Sequence, residues 1–313
     1  MDEALPGLPE RVRDVISRSG RTQRAFAAVI GIDPTKLSKA LKGVRRFTAA
    51  ELIRIADHAG VTVNWLLNGH DDALTVAAAP RNASATPSLP PADTDSAHAQ
   101  SVRRRIIEAA WQLIAEHGYY AVRIADIADR SGLPADIISA QFPSLRGLLD
   151  ETLRSSVKQA FDRQVAVLHE IPDAGDRLLR LIELQLPGSE RLRLEWSIWV
   201  QVWTESTLDP RIRALHADSY QRWHDTIVQT LRAGVDNGAF RPLDPDETAI
   251  HLSALIDGLG IQVLTGRPGR TVERMRATLH AFVADRLAPV RPAGAETDPP
   301  PDPPTVHGKD TRP

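Results

Sequence analysis

The chain has 313 residues, no cysteine, 25% charged and 42% hydrophobic residues, and a formal net charge of −2 at pH 7. The lack of Cys rules out disulfides, thiolate metal sites and Cys nucleophiles, and a balance this close to neutral speaks against a histone-like coating of DNA. Aromatics make up only 5%, while Ala, Leu, Ile and Arg recur at helical spacing, so the expected class is all-α with two or three domains.

The opening "MDEALPGLPE" is acidic and has no apolar core, so no signal peptide is expected there. Charge then concentrates sharply. Residues 11–46 hold ten Lys/Arg against Asp14 and Asp33, a local balance of +8, whereas residues 161–292 hold sixteen Arg against eighteen acids. A basic head on a near-neutral body is the footprint of a DNA-binding module attached to a separate partner domain.

Residues 22–43, "TQRAFAAVIGIDPTKLSKALKG", place Ala27 four before Gly31, with Ile32 next and Leu37 six after the Gly. The small Ala lets two helices cross closely. The Gly ends the first helix at positive φ, and the two apolar residues anchor the second helix. That is a helix–turn–helix, and it leaves Thr35, Lys36, Ser38 and Lys39 facing outward, with Lys42, Arg45 and Arg46 behind them. Lys is matched to guanine acceptors and to phosphate. Solvated polar residues on a small bundle are the plainer alternative.

Residues 71–100 carry four prolines and no sustained apolar period, which predicts a flexible linker spanning roughly 30 Å r.m.s.. From 101 to 117, Ile107, Ala110, Trp111 and Ile114 share a helix face, and short helices are predicted at 124–131 and 135–141. These repeat the earlier spacing: Ala128, Gly132, Leu133 and Ile138. Aligned through the glycines, Thr35, Lys36, Ser38 and Lys39 fall on Asp136, Ile137, Ser139 and Ala140, so the second copy is the poorer cationic reader. Its candidate contacts are Arg103, Arg104, Arg123 and Arg146 to phosphate, with Pro134, Ala135, Ser139 and Gln141 on or before the reading helix.

Longer helices are predicted near 145–168, 174–186, 189–206, 210–236, 245–264 and 271–287. Asp209-Pro210 and Asp244-Pro245 set an N-cap before a Pro at the first helical position, and Gly238 and Gly266 mark stops. Trp196, Trp199 and Trp203 share one stripe and Trp223 sits on the next helix: candidates to line an apolar ligand pocket, or plain core packing. Leu255, Leu259, Met275, Leu279 and Phe282 are the candidate dimer-interface residues. The apolar stretch 248–265 is broken by His251, Asp257 and Gln262 and is not expected to cross a membrane. Residues 289–313, with eight prolines, are expected to form a disordered tail.

Three resemblances follow from these strings. Residues 8–70, through "AFAAVIG", "LKGVRR" and "VTVNWLLNG", resemble the five-helix Cro/phage-repressor (XRE-type, lambda-repressor-like) domain, which implies base contact for Thr35, Lys36, Ser38 and Lys39 and a base-edge or backbone role for Gln23. Residues 101–150, through "AAWQLIAEHGYYAVRIADIADRSG" and "FPSLRGLL", resemble the TetR-family DNA-binding domain, but Ser139, Ala140 and Gln141 stand where that family carries a Tyr and a second aromatic or His. Residues 189–287, through "WSIWVQVWTESTLDPRIRALHADSYQRWHDTI", are similar to BetI-like TetR C-terminal domains, which implies an effector-binding and dimerisation domain over 151–288. The resemblance implies a nine-helix TetR-type fold behind the first domain and a cytoplasmic, homodimeric, ligand-responsive repressor. Its partners would be a double-stranded DNA operator and a small-molecule effector, with no cofactor, no metal and no membrane association. The alternative is a small-molecule-binding or protein-interaction protein in which the N-terminal domain alone binds DNA. No nucleophile–base pair, phosphate loop or metal spacing points to an enzyme.

Overall fold

The computed structural model describes residues 7–69 and 94–288, and among them every regular element is helical. Five helices build the head: α1 (Leu8–Arg18), α2 (Gln23–Val29), α3 (Pro34–Leu41), α4 (Ala49–Ala59) and α5 (Val63–Asn68). Nine follow: α6 (Thr94–His117), α7 (Ile124–Ser131), α8 (Ala135–Gln141), α9 (Leu145–Leu168), α10 (Ala174–Glu183), α11 (Glu190–Ser206), α12 (Pro210–Asp236), α13 (Pro245–Leu264) and α14 (Val272–Leu287). The fold is the expected one, a lambda-repressor-like head joined to a TetR-type body. Most of the expected linker and all of the expected tail lie outside the described residues. Residues 94–100, read as linker, open α6 instead.

Local chemistry explains the boundaries. Asp209 and Asp244 cap α12 and α13, each ahead of a Pro at N1, by accepting from Arg211 N at 2.9 Å and from Asp246 N at 2.9 Å. The two helix–turn–helix glycines are both left-handed, Gly31 at φ 63° and Gly132 at φ 65°. After each, the next amide returns to the Ala five residues back: Ile32 N to Ala27 O at 2.9 Å and Leu133 N to Ala128 O at 3.2 Å. A Cβ would strain that φ, which is why Gly recurs at both positions.

The head has its own core, in which Val12, Phe26, Leu37 and Ile55 are fully buried, and Arg11 ties α1 to α5 through its Nε donating to Leu66 O at 2.7 Å. The head is also packed on the body. Helices α4 and α5 lie against α9, and the head core and Val165 and Ala166 of α9 belong to one continuous apolar cluster. No described helix is long and apolar enough to cross a membrane.

Candidate functional site

In the first reader, Asp33 caps α3 by accepting from Lys36 N at 3.0 Å, which starts the helix at Pro34 and turns its polar face outward. Gln23, Thr35, Lys36, Lys39, Lys42 and Arg46 are exposed and Ser38 is half-buried. Lys36, Lys39, Lys42 and Arg46 form no salt bridge among the described residues, so their charges remain available to an outside anion. Arg45 differs from its expected role as a backbone clamp. Its guanidinium takes both oxygens of Glu51 at 2.8 Å and its Nε donates to Lys36 O at 2.9 Å, so it braces the reading helix against α4. Burial works against the charge on Glu51, but Arg45 and the Thr48 N–H outweigh it and hold its pKa below the usual carboxylate value.

The second reader holds fewer uncommitted charges. Arg103 forks onto Glu151, donates to Gln141 O at 2.9 Å and stacks 4.0 Å from the centroid of Phe142, so its charge is engaged as a strut between α6, α8 and α9. Arg146 is salt-bridged to Asp209. Arg104 and Arg123 are exposed with no salt bridge among the described residues. Pro134 precedes α8 as its N-cap residue, Ala135 and Ser139 are exposed on it, and Gln141 is half-buried at its end.

All four candidate tryptophans line one cavity of about 100 Å³, between α9, α11, α12 and α13, several times the ~10–15 Å³ that a single water needs. Trp196 and Trp203 meet edge to face, centroids 6.1 Å apart, and Trp196 Nε1 donates to Gln185 O at 2.8 Å. Trp223 Nε1 donates to Ser253 Oγ at 3.2 Å. The wall also carries Tyr220, Asp257, Glu195 and Gln185, none singled out by periodicity. Tyr220 OH donates to Asp257 Oδ2 at 3.0 Å. Burial pushes the Asp257 carboxyl up to about 6, partly offset by that hydrogen bond, and pushes the Tyr220 hydroxyl up to about 12. Glu195 is held by Arg163 at 2.5 Å and Arg191 at 3.2 Å. Gln185 Nε2 is buried without a partner among the described residues. Asp257 had a sequence signal, an acid inside an apolar helix, but it reads there only as an argument against a membrane span.

The cavity is wired to the second reader through α11. Trp196, Trp199 and Trp203 face it, while Ser197 and Gln201, spaced i, i+4, grip the end of α6 and Glu205, one turn on, holds the short turn that follows it. Ser197 Oγ donates to Ala115 O at 2.9 Å, Gln201 Nε2 to Ile114 O at 2.9 Å, and Tyr120 OH to Glu205 Oε2 at 2.5 Å.

Comparison with known proteins agrees with this arrangement. Residues 174–288 match the model for the C-terminal domain of BetI-type transcriptional repressors, residues 106–152 the model for bacterial regulatory proteins of the tetR family, and residues 13–66 a helix-turn-helix model. The transcriptional regulator BetI of Cronobacter sakazakii is 30% identical over 194 residues, covering 61% of this chain and 93% of BetI. The chain belongs to the TetR family of transcriptional regulators. BetI of Escherichia coli is 31% identical, over 60% of this chain and 95% of its own length. A transcriptional regulator from Saccharomonospora viridis, solved in complex with choline, is 56% identical with a TM-score of 0.58, over 60% of this chain and 98% of that one. A TetR-family regulator from a Rhodococcus species shares the fold at 23% identity and TM-score 0.52, over 60% of this chain and all of that one. As a TetR-family member, the chain is a DNA-binding, ligand-responsive regulator.

The candidate dimer residues divide. Met275 and Leu279 are buried inside their own chain, packed toward α10 and α13, and cannot meet a partner. Leu255, Leu259 and Phe282 are half-buried against the same core. The outward stripe of α13 is instead Ile250, Ala254, Gly258 and Ile261, with the two Ile 58% and 38% exposed.

Proposed function

We propose that the chain is a homodimeric repressor whose effector is a small quaternary ammonium compound of the choline class. The observation that carries this reading is the cavity wall: four indoles and a phenol with two carboxylates among them, Glu195, which Arg163 and Arg191 neutralise, and the half-buried Asp257, which forms no salt bridge among the described residues. Trp faces attract a cation through the ring quadrupole, by ~0.5–2 kcal/mol each when desolvated, and a carboxylate supplies the countercharge. Gln185 Nε2 is a donor waiting for a ligand oxygen, which fits a hydroxyl on the cation's short arm. The choline seen in the relative from Saccharomonospora viridis supports the same chemistry. Occupancy would shift α11, and α11 holds the end of α6, so the second reader moves with the ligand. Half-sites one DNA turn, about 34 Å, apart make a dimer sensitive to shifts of this kind.

Choline titrated into the full chain and followed by tryptophan fluorescence is expected to saturate, while its neutral carbon isostere, 3,3-dimethylbutan-1-ol, binds far more weakly. Equal affinity for the two would remove the cation reading. Asp257→Asn is expected to weaken choline on the order of tenfold or more, since one partner of a buried charge pair is lost. The pH dependence has a definite sign. Asp257 is charged above about 6, so choline binds best there and weakens as pH falls through that value. For folding of the empty chain the sign is opposite: a raised carboxyl pKa adds stability below its ordinary value and loses it as pH rises through about 6. Choline affinity independent of pH between 5 and 8 would remove Asp257 from the site.

Assembly uses the outward faces of α13 and α14. Ile250→Arg with Ile261→Arg is expected to give a monomer by light scattering, with the helical circular-dichroism signal kept, because both side chains already face solvent within one chain. A dimer surviving both changes would place the interface elsewhere. The dimer brings two copies of each reader to one operator. The exposed cations of α3 supply most of the charge-driven affinity, and the second reader, with Arg104 and Arg123, adds position.

A further inference from the structure

The sequence gives no reason to expect the head to be anything but a tethered module, yet its seat on the body is chemically specific. An N-cap side chain serves the amide near N3, so the N1 amide needs another acceptor. In α4, Thr48 accepts from Glu51 N, and the N1 amide of Ala49 donates across the domain boundary to Glu170 Oε1 at 3.2 Å. In α5, Thr62 accepts from Trp65 N, and the N1 amide of Val63 donates to Asp162 Oδ1 at 2.7 Å. Asp162 lies on α9 and Glu170 in the turn just past its end, eight residues on. Asp162 has no exposed surface, and its other oxygen takes Lys158 Nζ at 2.5 Å; that same ammonium lies 3.8 Å from Asp57 of α4. The N-terminal ends of two head helices thus meet negative charges on α9 and on the turn that closes it.

The same helix walls the effector cavity. Val157, Ala160, Phe161 and Gln164 of α9 face the cavity, in the turns that place Lys158 and Asp162 against the head. A side chain displaced on one stripe of a packed helix moves the neighbouring stripe with it.

We propose that α9 is a docking cradle for the head and that the effector controls the fit of that dock, so one ligand sets the register of both readers: the second through α11, the first through α9. The docked head leaves Lys36 and Lys39 of α3 open to solvent, so docking holds a working reader in place and does not mask it. The coupling to ligand rests on the choline-class reading of the cavity; the docking does not.

The chain has no native cysteine, so Ala28→Cys on the head and Asp176→Cys on α10, both exposed, take spin labels cleanly. In the full-length chain diluted with unlabelled protein, pulsed dipolar spectroscopy is expected to give one narrow distance peak. Asp162→Ala with Glu170→Ala broadens it. Asp162→Asn, which keeps an acceptor for Val63 but not the charge, gives an intermediate width and covers the case in which the alanine pair folds poorly. By reciprocity, a ligand that acts on the dock must be felt from the dock, so choline affinity of the broadened variant shifts by about fivefold or more. A broad peak in the parent overturns the docking. A broadened peak with unchanged choline affinity overturns the coupling. No choline binding by the parent overturns the cavity reading and the coupling with it, while the peak width still decides the docking.

Discussion

Replacing Gly260 with alanine is expected to cost the chain its effector site. A Cβ there would lie 2.1 Å from Cη2 and 2.5 Å from Cζ2 of Trp196, far inside contact distance. The indole cannot simply slide away: its Nε1 is hydrogen-bonded to Gln185 O and its edge packs on Trp203. A glycine inside a helix costs ~0.5–1 kcal/mol relative to alanine, so it is kept here because the α13 backbone is the surface on which Trp196 lies. Gly260→Ala reverses that sign. Overpacking costs about 1–3 kcal/mol, the melting temperature falls by several degrees, and choline-induced quenching is lost. Gly258→Ala is the control. Two residues earlier, its Cβ meets nothing within 4 Å inside the chain, so the Trp196 wall is left intact. Because Gly258 lies on the proposed interface stripe, light scattering first checks that the variant is still a dimer, and choline affinity should then be unchanged. If Gly260→Ala binds choline as the parent does, Trp196 is not a wall of the site.

The second large effect concerns which helix–turn–helix drives affinity. Lys36→Ala with Lys39→Ala removes two exposed cations from the α3 face, neither in a salt bridge among the described residues. Where both touch phosphate, the slope of log K against log salt falls by ~1.8, at ~0.9 per contact. Where either reads guanine, discrimination drops by ~1–3 kcal/mol for that base. Arg104→Ala with Arg123→Ala in the second reader is expected to cost less. The measurement is operator binding by the full-length chain at two or more salt concentrations. A larger loss from the Arg pair, or an unchanged slope from the Lys pair, reverses the ranking of the two readers.

The helices were legible wherever their ends carry a chemical marker. Asp209-Pro210 and Asp244-Pro245 start α12 and α13 as the sequence suggests, because cap and Pro act within three residues of chain. The start of α6 lies seven residues before the predicted one because an apolar period appears only where packing begins, and Val102 is the first buried apolar side chain of that helix among the described ones. The indole stripe was legible as a stripe. What lies opposite it was not: Asp257 meets Tyr220 across 37 positions of chain, and Asp162 meets Val63 across 99. Arg45 and Arg103 were legible as cations but their partners were not: Glu51, six residues on, takes Arg45, and nothing in local spacing announces that Glu151, 48 residues away, takes Arg103. Met275 and Leu279 fell to the same limit: periodicity tells which residues share a face, but not whether that face meets its own chain or another.

The crossed caps at Ala49 and Val63 also bear on how a two-reader chain comes to exist. Head and body are not interchangeable cassettes. Grafted onto a TetR-type body without acids at the places of Asp162 and Glu170, the head would keep its core and its Lys36–Lys39 face, but two of its amides would lose their acceptors and only apolar packing and the covalent connection would hold it. A carboxylate on the fourth body helix and a second in the turn that closes it, eight residues on, are therefore what a body needs in order to seat this head by its helix starts and not merely to carry it on a tether.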